Sequence, residues 1–199
     1  MKTLKSILGM LMIVCLSSFT LFSVTTESEN NKQSKRQIRR EQRKLRKEKA
    51  KEEAEKMAIL TAVMVENQSF ILEANMLFDR YGNTENVSAS TNFVSVTPER
   101  GVLQLAFDDL DFGFNGLGGI TCAGQVTKYD YKKLKHGGYQ VQYSIFGANG
   151  SFDVSMSIQP SGFAMATIRG NWGEDLKYQG KIIPAGKSGA YEGMIDYTL

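Results

Sequence analysis

The chain is short of the residues that most often carry chemistry. Its 199 residues include only two Cys, one His, one Trp and three Pro. Cys15 lies in an apolar N-terminal stretch, so loss of that stretch leaves Cys122 with no intramolecular partner. A disulfide framework is thereby excluded for a processed monomer. Zinc sites of the clustered Cys/His type are excluded as well, because His136 stands alone. It sits in Lys132-Lys133-Leu134-Lys135-His136-Gly137-Gly138, the composition of an exposed hairpin tip rather than of a general base. Cys122 alternates with Ile120 and is expected to face the core, where a thiol is inert. No motif in the chain calls for a cofactor, and none is expected.

Charge is also nearly balanced, at +3 overall, but it is unevenly placed. Lys32–Lys56 holds twelve basic and five acidic side chains. The residues after Met57 therefore form a mildly acidic body behind a basic segment. Before that segment, Lys2 and Lys5 precede the apolar run Ile7–Val14, and the greasy character continues to Val24. A cationic start, an apolar run and then small polar residues make an export signal. Three outcomes follow from it. Ser23 and Thr25 suit ordinary cleavage, giving a leader over residues 1–25. Cys15 invites lipidation, against which stand Val14 before it and the apolar residues after it. An uncleaved anchor is the third, since Ser6–Val24 is just long enough to span a bilayer. The expected address is the periplasm or cell envelope, with contact to the membrane only through the leader or a lipid anchor.

Residues 26–56 read as a charged helical linker. Ser34 and Gln37 have the form of a capping box. From there to Asn67 there is no Gly or Pro, and strong helix formers dominate. Ile38, Leu45 and Ile59 fall on a seven-residue repeat, but charged residues occupy the complementary positions, so no coiled-coil seam exists. A solvated spacer is the plainest reading. Attraction of its basic residues to an anionic envelope surface is the other. Nucleic acid is not an expected partner, because no aromatics are interleaved to stack bases. The last turns, Met57 to Val65, are apolar all round and are expected to be buried on the domain that follows.

Residues 57–199 read as a mainly β domain. Tyr139, Val141, Tyr143 and Ile145 alternate with polar residues, as do Phe152, Val154, Met156 and Ile158. Gly147-Ala148-Asn149-Gly150 and Gln159-Pro160-Ser161-Gly162 are turns between such runs. Short connections and apolar-in, polar-out alternation describe an antiparallel meander with one face in water. Strands are expected at Ser69–Asn75, Thr91–Val96, Val102–Phe107, Ile120–Val126, Phe163–Ile168 and around Leu176–Ile182, with Asp79–Ser90 a polar loop. Tyr191–Tyr197 is a further candidate edge strand. About eight strands result, as a barrel, a sandwich or an open sheet under the helix.

These residues also resemble a known family. Ser69-Phe70-Ile71-Leu72-Glu73-Ala74 after a charged segment, Phe112-Gly113-Phe114 before Gly118-Gly119-Ile120, and Tyr139-Gln140-Val141-Gln142-Tyr143 are similar to motifs of a bacterial exported and lipoprotein-type family, domain of unknown function four-two-five-one. Gly162-Phe163-Ala164 and Leu176-Lys177-Tyr178-Gln179-Gly180-Lys181-Ile182 continue the likeness, which spans Gln68–Ile182. The resemblance implies an envelope address and a β-rich fold. It assigns no activity and no catalytic residues, and the chain departs from the lipoprotein members at the residues before Cys15.

Three groups of residues remain as candidate sites. Asp108, Asp109 and Asp111 with Asn115 offer oxygens to a cation such as Ca²⁺, although the spacing is not that of an EF-hand. Trp172, in a Gly-flanked turn, is either a lid on the sheet or a binding aromatic, and Tyr129 and Tyr131 beside Asp130 would extend such a surface. The outward Gln, Ser and Lys of the strands read as solvation. The function implied is a non-catalytic binding or structural domain. The rival is a hydrolase of envelope polymers using two carboxylates brought together in space. The leader carries a direct test. Mass spectrometry of the protein from its native membrane or periplasm is expected to find an unmodified N-terminus near Thr26, whereas acylated Cys15 would refute cleavage without lipidation.

Overall fold

The computed structural model describes residues 35–79, 81–106, 117–148, 150–170 and 175–194. These form two units, one ending at Glu52 and the other beginning at Glu53. Helix α1 runs from residue 35 to 66, and its side chains up to Lys56 are exposed. Ser34 and the leader lie outside the described residues. Among the described residues, no helix is long and apolar enough to cross a membrane.

Among the described residues nine strands follow, all paired antiparallel: β1 (Phe70–Phe78), β2 (Thr84–Asn86), β3 (Phe93–Val96), β4 (Gly101–Leu105), β5 (Ile120–Lys133), β6 (Tyr139–Gly147), β7 (Gly150–Ile158), β8 (Phe163–Arg169) and β9 (Asp175–Pro184). From β3 onward each strand pairs with the next, and β9 returns to β1, Phe70 facing Pro184 and Phe78 facing Lys177. Eight strands thus close a barrel, and closure removes the exposed edges of an open sheet. The barrel alternative is the one realised. The ninth strand, β2, lies in the expected polar loop Asp79–Ser90. It forms because β3 covers only Phe70–Glu73 of β1, leaving Met76–Phe78 open to pair with Thr84–Asn86.

The inner wall is the apolar half of the alternation. Phe70 and Leu72 of β1, Val141 and Ile145 of β6, Met156 and Ile158 of β7, and Ala164, Ala166 and Ile168 of β8 are almost fully buried. Cys122 is buried in this core, as its alternation with Ile120 implied. Ala74, Gly180 and Ala164 stand side by side on β1, β9 and β8. At this point β1 carries a bulge between Ala74 and Met76, and the strands crowd. A Cβ on Gly180 would lie 1.9 Å from the carbonyl oxygen of Glu73, so only glycine fits.

Strand β5 is longer than the expected Ile120–Val126, and the reason is a second bulge. Lys128 takes a left-handed φ of 54°, and the register with β6 shifts between Thr127 and Asp130. One extra residue reverses which side chains face inward. Before the bulge, Cys122 and Val126 point into the barrel; after it, Tyr131 lies opposite inward Val141. The simple alternation breaks at Lys128, which is why the sequence pattern stops there.

The last turns of α1 plug the barrel at the end where β1 begins. Thr61, Met64 and Val65 are buried, and Thr61 Oγ1 donates to the Pro160 carbonyl at 3.4 Å. The helix stops in a Schellman turn: Gln68 has φ of 50°, its N–H donates to Val65 O, and Ser69 N–H donates to Met64 O. Tyr129 Oη, re-aimed by the bulge, also donates to Val65 O at 2.7 Å. Burial is one-sided, which corrects the expectation of an all-round buried segment. Ile59, Leu60 and Val63 are 66%, 36% and 48% exposed, because the barrel mouth accepts one stripe of the helix.

The tail is a second correction. Residues 185–187 form a 3₁₀ turn and 188–194 continue without strand structure; the remainder of the expected edge strand, 195–199, lies outside the described residues. A closed barrel offers this segment no edge to join. The Gly180 contact can be checked directly. Gly180→Ala is expected to destabilise the protein by about 1–3 kcal/mol in denaturant unfolding through overpacking, and an unchanged midpoint would mean the β1–β9 contact yields easily.

Candidate functional site

The barrel interior is filled by side chains, so a ligand must meet an outer wall or an end. On the outer wall of β5–β8 lies a concavity of about 300 Å³. It is built by the polar half of the alternation. Register sets Ser144, Asp153 and Arg169 side by side on β6, β7 and β8, and beside them Gln142, Ser155 and Thr167. Lys128, exposed at the β5 bulge, closes one side. The same distortion that turns Tyr129 inward therefore places a cation on the outer wall.

The lining is internally ordered. Ser144 Oγ donates to Asp153 Oδ1 at 2.6 Å. Gln140 Nε2 donates to Ser155 Oγ at 3.0 Å. Arg169 forks onto Asp175 across β8–β9, with Nε to Oδ1 at 2.9 Å and Nη2 to Oδ2 at 3.0 Å. These hydrogen bonds from Arg169 hold the Asp175 carboxyl below the usual carboxylate range, and the same bond raises the guanidinium. Amide, hydroxyl, carboxylate and cationic groups here, with Tyr143 and Val154 between them, can exchange hydrogen bonds with a polar ligand and offer it some apolar surface.

Of the residues singled out in the sequence, Tyr129 and Tyr131 lie inside the described chain, and they sit elsewhere. Tyr129 is half-buried beneath α1 and stacks on Tyr143, with centroids 5.9 Å apart. Tyr131, 41% exposed, meets Tyr129 and Tyr139 at centroid distances of 6.3 and 6.2 Å. Burial pushes the Tyr129 and Tyr143 hydroxyls well above their ordinary range, so both stay neutral. The Tyr143 hydroxyl is buried without a hydrogen-bond partner. His136 is exposed in its turn.

Asp108, Asp109, Asp111, Asn115 and Trp172 lie outside the described residues. The ends of β4 and β8 and the starts of β5 and β9 lie at the barrel end opposite the last turns of α1. Among the described residues no group of His, Cys, Asp and Glu is arranged to hold a metal. The buried polar side chains described are Thr61, Asn92, Gln104 and Thr121, none of them a carboxylate.

The concavity was not legible as a site. Gln142, Ser144, Ser155 and Thr167 look like ordinary outward strand residues. The available signal was the break in alternation at Lys128-Tyr129, which marks a bulge, and bulges re-aim side chains near functional surfaces.

Comparison with known proteins identifies relatives without an assigned activity. A family model described as "Domain of unknown function (DUF4251)" matches residues 49–182. A crystal structure of a DUF4251 family protein from Bacteroides eggerthii superposes with a TM-score of 0.58 at 30% identity, covering 67% of this chain and 91% of that one. No curated protein matches.

The ion pair at the rim gives a pH prediction. Because the folded Asp175 pKa is depressed, its contribution to stability is complete above the unfolded value, about 3.9, and is lost as pH falls through the lower folded value. Carboxyl NMR titration is expected to find Asp175 below about 3.9 in the native protein and moving back toward it in Arg169→Ala. Identical titration in both would remove the arginine as the cause.

Proposed function

The chain belongs to the DUF4251 family, and on that footing we propose that it is an exported cell-envelope protein whose barrel is a non-catalytic binding domain for a polar, hydroxyl-rich ligand such as an envelope oligosaccharide. The observation that carries the reading is the concavity on the β5–β8 wall. Its lining offers side-chain hydroxyls from Ser144, Ser155 and Thr167, the Gln142 amide, the Asp153 carboxylate and the Lys128 and Arg169 cations. Alternating donors and acceptors on a rigid sheet suit the hydroxyl pairs of a sugar, and the closed barrel holds them at fixed spacing. Export is supported by the cationic start and apolar run of residues 1–24. The basic residues of α1 support a further attraction to an anionic envelope surface.

Trp172 is the only Trp and lies close in sequence to Arg169, so its emission is a single-site reporter. Titration with envelope oligosaccharides is expected to shift that emission saturably. Gln142→Ala and Asp153→Ala should each weaken binding by about three- to tenfold, the loss of one or two net hydrogen bonds. Absence of any shift, or affinities untouched by both substitutions, would sink the reading.

A further inference from the structure

A different wall of the barrel, away from this concavity, is covered by a segment of the chain itself. Register sets Glu73, Phe93, Gln104 and Thr121 in one row across β1, β3, β4 and β5. Their neighbours Leu72, Val94, Leu103 and Cys122 belong to the core, so this row faces outward. Outward residues on a barrel are ordinarily wet. Here Phe93 is 3% exposed, Val102 2%, and Gln104 and Thr121 are fully buried. The segment Ser188–Met194 lies over this row.

The manner of its attachment is that of a bound peptide rather than of a strand. Gln104 spends its whole side-chain amide on the task. Nε2 donates to the carbonyls of Tyr191 and Thr91 at 2.8 and 2.9 Å, while Oε1 accepts from Gly193 N–H at 2.8 Å and from Thr121 Oγ1 at 3.0 Å. One amide thus reads a carbonyl and an N–H of the passing backbone, and two wall groups lock its orientation. Tyr191 N–H donates to Ser90 O at 2.8 Å. Glu73 Oε1 accepts from Ser188 Oγ and Gly189 N–H at 2.6 and 3.1 Å. One side chain of the segment is recognised by charge: Arg100 forks onto Glu192, with Nη1 to Oε2 at 2.9 Å. Tyr191 and Met194 point away and are 64% and 67% exposed.

We propose that this β1–β3–β4 wall is a peptide-recognition surface, filled here in cis by Ser188–Met194, whose partner in trans is an extended segment carrying an acidic residue. Main-chain bonds supply attachment that is indifferent to sequence, and a small number of side-chain contacts supply the choice. Glu73 selects a small donor at the entry, Arg100 selects the carboxylate, and Gln104 takes the N–H of the residue after it. The attachment is made largely through side chains of the wall, so the segment can leave without breaking any strand pairing of the barrel. At Gly186 and Gly189 an added Cβ would meet nothing within 4 Å, so the lead-in is not wedged into the wall.

The test uses the full chain and a labelled peptide of residues 188–194. In the wild type the cis segment competes, and binding is expected to be weak. Glu192→Arg detaches that segment and should bind the wild-type peptide about five- to tenfold more tightly, as the open fraction of the wall rises. Adding Gln104→Ala to Glu192→Arg should abolish the gain, and a peptide carrying arginine in place of its glutamate should not bind. Gly193→Pro, which removes the N–H donated to Gln104, provides a second way to free the wall. The proposal is overturned if a folded Glu192→Arg or Gly193→Pro chain binds the peptide no better than wild type, or binds a scrambled peptide equally. It is also overturned if both variants lose the native near-ultraviolet circular dichroism, since the segment would then be part of the fold rather than its occupant.

Discussion

The return of β9 to β1 is the contact on which the rest of the molecule depends. Before it forms, Phe70–Phe78 and Asp175–Pro184 are the two open edges of a twisted sheet, with paired residues 99 to 114 positions apart in sequence. Once they pair, the inner sides of the eight barrel strands face the same enclosed space, and the barrel itself has no open edge. The pairing is close enough at Gly180 that a single methyl would strike the Glu73 carbonyl. Closure also decides where function can lie. Side chains fill the interior and α1 plugs one mouth, so the outer wall and the opposite end are the surfaces left to a ligand.

The β5 bulge is the second organising feature, and it acts on both sides of the wall at once. Inward, it turns Tyr129 toward the end of α1, where its hydroxyl meets a carbonyl that the Schellman turn has already used. Outward, it sets Lys128 against Gln142 and Ser144. Helix docking and the shape of the outer concavity therefore share one cause. The left-handed backbone of a non-glycine residue costs free energy of order 1–2 kcal/mol, and the stacked Tyr129–Tyr143 pair and the bond to Val65 offset it.

Two outer surfaces result, with different physics. The β5–β8 wall is open, polar and cross-linked by its own side chains, from Ser144 to Asp153 and from Arg169 to Asp175. The β1–β3–β4 wall is covered, with Phe93 and Val102 shut away beneath a segment that Gln104 grips through its backbone. A buried amide with all four hydrogen bonds met carries no desolvation penalty, and it becomes costly as soon as its partners leave. That cost is what keeps the segment in place in the absence of a competitor.

By itself, the sequence determined the local character of nearly every element. The Gly- and Pro-free run before Asn67 made a helix, the period-two patterns at Tyr139–Ile145 and Phe152–Ile158 made half-buried strands, and the turns at Gln159–Gly162 and Leu134–Gly138 joined them into a meander. The family motifs on β1, β6, β8 and β9 were legible for the same reason. Tertiary structure alone decided closure, because β1 and β9 carry nothing that names each other as partners. It decided the sidedness of the helix, since Ile59, Leu60 and Val63 are as apolar as Met64 and Val65 and differ only in what faces them. It decided both candidate surfaces too. Gln104 and Gln142 are the same residue type in the same outward alternation. One is sealed under Ser188–Met194 and the other lines an open concavity, because burial of an outward side chain depends on what crosses over it, and that partner is remote in the chain.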